Sequence, residues 1–221
     1  MAFAVTGWVW FPYFASLHTG YHRLSLVNRH WDVNGMVGYR RNRVAGGTYF
    51  FTLALRNRSS DLLVRHISEV REAFRTVRSE RPFSIDAIVV LPDHLHAIWT
   101  LPEGDADYSG RWRAIKTCFT RQLRVAGVEL ARDERGEYRL WQRRFWEHTI
   151  RDERDFHAHM DYVHINPVKH GFVERVRDWP WSTFHRYVKA GVLTEGWAGD
   201  GEDAEGSESF GERADRDVVR M

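Results

Sequence analysis

Cysteine is almost absent from this sequence of 221 residues, since Cys118 is the only one. A single thiol cannot form a disulfide within the chain or build a cysteine-cluster zinc site. The sequence also lacks a P-loop, the glycine-rich pattern that binds the phosphates of ATP or GTP. The lone cysteine therefore excludes a disulfide-stapled fold, and it fits the reducing environment of a cytoplasm.

Charged residues are missing from the first 21 positions, where glycine and proline interrupt an otherwise apolar stretch. The stretch lacks the basic start of a signal peptide and is too broken for a membrane span. We therefore expect no membrane partner and interpret residues 1–38 as an N-terminal extension with no assigned role. Because the segment beginning at Met36 resembles a natural start, one explanation is a misplaced gene start.

Residues 196–221 form an acidic tail with eight acidic and three basic residues, a net charge of −5. Since the whole chain carries +2, the remaining residues carry +7. The Gly, Asp and Glu content of the tail predicts disorder. A basic body indicates a polyanionic partner, although many solvated domains are equally basic.

The segment between these ends, residues 39–195, has the pattern of a single folded domain. Hydrophobic residues make up 43% of the chain and aromatic residues 14%, which is ample for a packed core. The periodicities predict strands at 48–55, 83–91, 94–101 and 139–150, and helices at 61–79, 109–126 and 152–166. The last helix should end before Pro167, which disfavours helical conformation at the preceding residue. This order predicts an α+β fold, a ferredoxin-like β-α-β-β-α-β antiparallel sheet with an added C-terminal helix.

His94 and His96 are the most informative pair in the sequence. Side chains alternate along a strand, so both imidazoles should point to the same face, about 6–7 Å apart. Two neutral imidazoles at that distance can bind one divalent ion. The pair could also be two half-buried histidines bonded to backbone carbonyls. A zinc hydrolase is a weaker alternative, because Ala97-Ile98-Trp99 offers no further ligand.

Tyr162 and Asn166 lie four residues apart in the third predicted helix, so they share one face. An Asn side-chain oxygen can bind a hard metal ion, and a tyrosine can act as a nucleophile. The alternative is structural: a tyrosine on a helix is usually a core residue, and Asn before Pro is an ordinary helix terminator.

Several short segments occur in a fixed order over residues 39–187. They are Tyr39-Arg40-Arg41, Gly46-Gly47-Thr48-Tyr49-Phe50-Phe51-Thr52, Leu91-Pro92-Asp93-His94-Leu95-His96, Ile115-Lys116 with Phe119, Trp146-Glu147-His148, Ile150-Arg151-Asp152-Glu153, Tyr162-Val163-His164-Ile165-Asn166-Pro167-Val168-Lys169-His170-Gly171 and Trp179-Pro180-Trp181-Ser182. With these segments the sequence resembles the REP-associated tyrosine transposases, relatives of the single-strand insertion-sequence transposases within the HUH (His-hydrophobic-His) nucleases. The residues before 36 and the acidic tail have no counterpart in this resemblance.

The resemblance implies an HUH nuclease fold and an enzyme that cleaves and rejoins single-stranded DNA at REP-type hairpins. It implies that His94, His96 and Asn166 bind Mg²⁺ or Mn²⁺, and that Tyr162 is the nucleophile that forms a 5′-phosphotyrosine. With one such tyrosine per chain, exchange of two strands needs two chains or sequential turnovers, so a monomer and a homodimer both stay open. The expected location is the bacterial cytoplasm, on the nucleoid when DNA is bound. The main alternative is a relative that binds REP hairpins in DNA or RNA without cutting them.

The helix at 109–126 is the first of two segments predicted to hold DNA, because it contains no acidic residue. Its polar face, opposite the apolar one, presents Arg113, Lys116, Thr120 and Arg124. Arg111 and Arg121 add further positive charge. Such a face suits a phosphate backbone, although a merely soluble helix face has the same pattern.

The second segment is a basic-aromatic arm at residues 39–43. Its Tyr39, Arg40, Arg41 and Arg43 could contact phosphates, stack on bases or read guanine edges. A further hypothesis is that the acidic tail competes with DNA for the basic surface.

Overall fold

A computed structural model describes residues 41–198 of the chain. The predicted N-terminal extension, the Met36 start, Tyr39 and Arg40, and residues 199–221 of the acidic tail lie outside the described residues. Of the residues that we assigned to the tail, Trp197 packs against the rings of His164 and Phe184. The folded part of the chain therefore includes Trp197.

The centre of the fold is a four-stranded antiparallel sheet. Its strands are β1 (Thr48–Ala54), β2 (Ser84–Val90), β3 (His94–Thr100) and β4 (Trp146–Thr149). They lie in the order β2-β3-β1-β4, so β1 pairs with both β3 and β4. This is the strand order that two split β-α-β units produce, and the predicted ferredoxin-like α+β fold is confirmed.

Five helices and one 3-10 turn occur in the described residues. They are α1 (Leu62–Arg65), α2 (Ile67–Glu80), α3 (Tyr108–Val125), α4 (Glu153–Lys169), a 3-10 turn (Val176–Asp178) and α5 (Phe184–Lys189). The helix predicted at 61–79 is divided, because His66 leaves the helical conformation. The first turn of α1 is held instead by the loop between β2 and β3, where Leu63 N donates to Pro92 O. None of these helices is long and apolar enough to cross a membrane.

The sheet separates two packed layers, because neighbouring residues of a strand point to opposite faces. Phe51 and Trp99 point to the face covered by α2 and α3, where Trp99 stacks on Trp112 with 3.9 Å between ring centroids. Phe50 and Ile98 point to the other face, where residues of α4 complete a second buried cluster. The helix with Tyr162 therefore lies on the face opposite α3.

The helix α4 begins as predicted and ends later than predicted. The Asp152 side chain caps it by accepting from Asp155 N at 2.8 Å. Pro167 lies inside the helix, which continues to Lys169. The proline lacks an N–H for the preceding turn, but it is buried, and the next turn still closes with His170 N donating to Asn166 O at 3.0 Å. Tertiary packing thus overrides the tendency of Asn166, as the residue before a proline, to avoid the helical conformation.

The fourth strand is shorter than the predicted segment 139–150. Only Trp146–Thr149 pairs with β1. Residues before it make single bridges, Leu55 with Trp141 and Arg132 with Tyr138. The segment 126–145 is therefore a long connection between α3 and β4, and its aromatic residues Trp141 and Phe145 pack against α3 instead of extending the sheet.

Candidate active site

His94 and His96 lie on β3, and both side chains point to the face that α4 covers. Their ring centroids are 5.1 Å apart and the ring planes are nearly perpendicular, at 87°. Both residues are buried, at 1% and 0% exposure. The alternating direction of side chains along β3 therefore places the two imidazoles next to each other, as predicted from the sequence.

Each imidazole is oriented by a side chain at its Nδ1 atom. His94 Nδ1 lies 2.8 Å from Asp93 Oδ1, and the other carboxylate oxygen of Asp93 is 2.7 Å from Arg58 Nε. His96 Nδ1 lies 2.9 Å from Thr52 Oγ1, on the neighbouring strand. A metal ion held by this pair would consequently be bound through Nε2 of each ring, with the Nδ1 partners fixing the ring orientation.

Tyr162 lies against this pair. Its ring centroid is 5.2 Å from that of His96, and the side chain is fully buried. The Phe50 ring packs on its edge with 5.8 Å between centroids, and Lys169 Nζ lies 4.7 Å from the centre of the phenol ring. The structure thus brings together the predicted nucleophile and the predicted metal ligands.

Asn166 lies one turn after Tyr162 on α4, and it is also fully buried. One further turn on, the ring of His170 lies 5.1 Å from the ring of His94. Residues at this spacing share a helix face, so Asn166 lies between a residue that contacts His96 and one that contacts His94. Two imidazoles and an amide oxygen are a donor set that suits a divalent ion.

His170 was not assigned a role from the sequence, although its i+4 spacing from Asn166 is a signal that could have found it. Asp93 was also missed. A carboxylate is a common hydrogen-bond partner of a metal-binding histidine, and Asp93 directly precedes His94 in the sequence. The positions of Thr52 and Arg58 could not be anticipated, because they depend on the pairing of β1 with β3 and on the loop after β1.

A second histidine cluster on the same face was not predicted. It comprises His148 of β4 and Asp155 and His159 of α4, each offering one ligand atom within 4.8 Å of the others. The His148 and His159 rings are stacked 4.7 Å apart at 13°. The i, i+4 spacing of Asp155 and His159 was visible in the sequence, but their proximity to His148 required the fold.

A network of hydrogen bonds defines the charge of this second cluster. Asp155 Oδ2 is 2.8 Å from His148 Nε2, and it accepts from Arg151 N at 3.0 Å and from Arg151 Nε at 3.1 Å. Burial would raise the pKa of the Asp155 carboxyl, but these hydrogen bonds lower it to about 2. Burial lowers the pKa of His159. The cluster therefore holds an ionised carboxylate that is neutralised by the Arg151 guanidinium.

The predicted DNA-binding residues of α3 lie on the opposite face of the sheet from Tyr162. Arg113, Arg121 and Arg124 are exposed there. Lys116 is half-buried and its Nζ donates to Gln142 O at 2.9 Å. Burial, together with the nearby charge of Arg41, lowers the pKa of this amine to about 8. Arg111 is buried and bonds Asp105 Oδ2 at 2.6 Å, so it is a structural residue and does not add to the exposed charge.

The described part of the predicted arm lies beside α3. Arg41 places its guanidinium 4.0 Å over the Phe145 ring and donates to Ser109 Oγ at 2.7 Å, whereas Arg43 is exposed. Arg41 and Lys116 both contact Phe145, since Lys116 Nζ is 5.9 Å from that ring. These residues form a basic-aromatic surface beside α3, on the opposite side of the sheet from the histidine pair.

Comparison with known proteins gave the following similarities. The chain is 52% identical over 165 residues to the REP-associated tyrosine transposase of Escherichia coli (strain K12), a match that covers 75% of this chain and 93% of that protein. It is 47% identical over 168 residues to a putative REP-associated tyrosine transposase of Haemophilus influenzae, with 75% and 95% of the two chains covered. No family model matches the sequence.

A similar fold is found in the structure of a REP-associated tyrosine transposase bound to a REP hairpin. That chain is 49% identical in sequence and superposes with a TM-score of 0.66, covering 79% of this chain and 99% of the other.

Proposed function

The chain belongs to the REP-associated tyrosine transposase family, and we propose that it cleaves and rejoins single-stranded DNA beside REP-type hairpins through a covalent bond between Tyr162 and a 5′-phosphate. Membership of this family supports a DNA-processing role of the transposase type. A related chain with 49% identity has been solved with a REP hairpin bound, which supports hairpin DNA as the partner.

The placement of Tyr162 beside the His94–His96 pair carries this proposal. The phenol ring is 5.2 Å from the His96 ring, and the two imidazole rings are 5.1 Å apart. A core tyrosine with a purely structural role has no need of two imidazoles that are each oriented from their Nδ1 side. The geometry therefore favours a nucleophile over a packing residue.

We infer that His94, His96 and the side-chain oxygen of Asn166 hold a divalent ion, Mg²⁺ or Mn²⁺. When bound, such an ion supplies Lewis-acid polarisation of a non-bridging oxygen of the scissile phosphate. Asp93 and Thr52 keep the two imidazoles in the orientation that this requires. Lys169, whose ammonium lies 4.7 Å from the centre of the Tyr162 ring, supplies positive charge next to the phenol.

The reaction assigned to Tyr162 is an in-line displacement at phosphorus. The phenol oxygen forms a bond to phosphorus, the bond to the 3′-oxygen breaks, and the phenol proton passes through solvent to the departing 3′-oxygen. A phenol in water has a pKa of about 10 and is a weak nucleophile at neutral pH. Positioning must therefore contribute much of the rate, and well-aligned groups can supply roughly 7–11 kcal/mol of the barrier. A second 3′-hydroxyl can reverse the step and join strands without ATP.

Tyr162, His94, His96 and Asn166 are all inaccessible to solvent. A phosphodiester can reach the phenol only if groups that cover it are displaced. Binding of DNA to this face must consequently be coupled to a local opening, and the rate of adduct formation includes the cost of that opening.

The covalent bond to Tyr162 can be tested with the full-length protein. Labelled DNA containing a REP hairpin and single-stranded flanks is incubated with the protein and Mg²⁺ or Mn²⁺, and a denaturing gel is examined for a protein–DNA adduct. We expect an adduct with the wild type, none with Tyr162→Phe, and an undiminished adduct with Tyr138→Phe, which removes a phenol hydroxyl from the loop after α3.

The same gel separates catalysis from binding alone. A protein that binds REP hairpins without cutting them would retain the DNA on a native gel, with an affinity that falls as salt is added, and would give no adduct in any variant. An adduct that persists in Tyr162→Phe would instead assign the nucleophile to another residue.

A further inference from the structure

Among the Phe, Tyr and Trp side chains in residues 41–198, Phe172 is the only exposed one. It is 43% exposed, whereas the other Phe, Tyr and Trp rings of this region are buried or half-buried. Apolar surface in contact with water costs about 25 cal/mol per Å² relative to burial. An exposed ring is ordinary by itself, so its surroundings decide whether it has a function.

The backbone of Phe172 is fixed at the end of α4. Gly171 has a φ of +68°, which reverses the chain direction after the helix. Gly171 N donates to Val168 O at 2.9 Å and Phe172 N donates to Pro167 O at 3.0 Å. These two bonds are the Schellman motif, so Phe172 is held by the same helix that carries Tyr162.

The ring of Phe172 is supported from one side. It stacks on Trp179 with 5.4 Å between centroids and 29° between planes. Trp179 is itself anchored, because its Nε1 donates to Val90 O at the end of β2. The Phe172 ring is thus a preformed platform, with a backed face and an exposed face, and little conformational entropy remains to be lost when a planar group stacks on it.

The platform is continuous with the candidate active site. The centroid of the Phe172 ring lies 5.9 Å from that of the His170 ring, which in turn lies 5.1 Å from that of the His94 ring. Lys169, three residues before Phe172, is exposed and lies over the Tyr162 ring. A planar apolar surface and a cation therefore lie together beside the predicted nucleophile.

We propose that Phe172 stacks on an unpaired base of the single-stranded DNA that flanks the phosphodiester attacked by Tyr162. The inference rests on the proposed function for the identity of the DNA. A ring without hydrogen-bonding groups recognises a flat apolar partner, and every base offers such a face. The neighbouring Lys169 matches the phosphates on either side of that base. Phe172 thereby sets the position of the strand along the active site, independently of base identity.

Direct stacking can be measured without cleavage in a Tyr162→Phe background. The probe is a REP hairpin with a single-stranded flank that carries 2-aminopurine at one position at a time. We expect fluorescence quenching at one flank position, loss of that quenching in Phe172→Ala, and its retention in Phe172→Tyr. Affinity for the flanked hairpin should fall roughly tenfold in Phe172→Ala, as for loss of one stacked base. Val192→Ala, which also shortens an exposed apolar side chain, should match the parent.

Salt dependence distinguishes stacking from charge. The ratio of the parent affinity to the Phe172→Ala affinity should stay constant from about 50 mM to about 200 mM salt. The ratio of the parent affinity to the Lys169→Met affinity should shrink as salt is added, because phosphate contacts release counterions. A hairpin without a single-stranded flank should bind the parent and Phe172→Ala equally. Equal melting temperatures of the variants would confirm that they are folded.

The inference is overturned if Phe172→Ala binds the flanked hairpin and quenches the 2-aminopurine fluorescence as the parent does. It is equally overturned if Phe172→Tyr loses as much affinity and quenching as Phe172→Ala. It is also overturned if Phe172→Ala weakens binding of the hairpin without a flank as much as binding of the flanked hairpin. That result would mean that Phe172 contacts the duplex or another part of the protein. Failure of the proposed function looks different: no adduct would form with the wild type, while quenching would still depend on Phe172.

Discussion

The face of the sheet that α4 covers carries two histidine clusters of different construction. Both contact the Phe50 ring, which lies 5.6 Å from the His96 ring and 4.8 Å from the His159 ring. In the first cluster the His94 and His96 rings are perpendicular, and each is oriented through Nδ1 by a group outside the pair. In the second, His148 and His159 are stacked in parallel around an ionised carboxylate.

The two clusters show that proximity of histidines and carboxylates does not by itself make a metal site. Rings that bind one ion direct their nitrogen atoms to a common point, and stacked rings do so poorly. The second cluster also contains its own cation, because Arg151 Nε bonds the same Asp155 oxygen that faces His148. We infer that the first cluster holds the divalent ion and that the second fastens the start of α4 to β4.

The largest expected difference between the clusters is in metal binding. His94→Ala should abolish adduct formation and weaken Mn²⁺ binding by more than the roughly 10- to 100-fold that loss of a supporting residue causes. His148→Ala should leave Mn²⁺ affinity within about twofold, because its contacts with Asp155, His159 and Trp146 do not include a ligand of the first cluster. Isothermal titration or the electron paramagnetic resonance signal of Mn²⁺ measures both. Equal losses in the two variants would place the ion in the second cluster.

A smaller effect is expected on folding. The pKa of Asp155 is lowered in the folded protein to about 2, so its ionisation stabilises the fold at pH values above the unfolded pKa of about 3.9. That contribution should be lost as the pH falls through about 2. Asp155→Asn should reduce the free energy of unfolding at pH 7 by about 1–3 kcal/mol, and the difference from the wild type should narrow progressively below about pH 4.

Urea unfolding at a series of pH values measures this difference. Asp61→Asn is a suitable control, because Asp61 forms only an exposed pair with Arg65 on α1, and such pairs contribute about 0–1 kcal/mol. A difference between Asp155→Asn and the wild type that does not change with pH would show that the carboxylate charge has no part in fastening α4.

The first cluster could be predicted from the sequence, and the second could not, for a physical reason. His94 and His96 are two residues apart in one strand, and Tyr162 and Asn166 are one turn apart in one helix, so local periodicity fixes the face on which each pair lies. The resemblance to a family then predicted that the two pairs belong to one site. The second cluster requires His148 of β4 to meet α4, and this contact depends on where β4 enters the sheet.

The element order and fold class were predictable for the same reason, since alternation and helical spacing are local. What local patterns could not supply is the position of each surface relative to the others. The basic residues of α3 were predicted as a DNA track, but α3 packs on the far face of the sheet through Trp112. Pro167 was expected to end α4, whereas the buried environment of Asn166 and Pro167 carries the helix onward to Lys169. Both outcomes are decided by tertiary packing.

The smallest expected effect tests why the second cluster would not hold an ion. If the Arg151 guanidinium neutralises Asp155, then Arg151→Met should leave a carboxylate and two imidazoles without a cation. In a His94→Ala/His96→Ala background, which removes the first cluster, this change should tighten the residual binding of Zn²⁺ or Mn²⁺ by up to about fivefold, in line with the about 0–1 kcal/mol of an exposed ion pair. Arg154→Met, which removes an exposed arginine from the first turn of α4, should leave binding unchanged. If Arg151→Met gains nothing, the stacked geometry of His148 and His159 is sufficient to exclude an ion, and Arg151 only strengthens the attachment of α4.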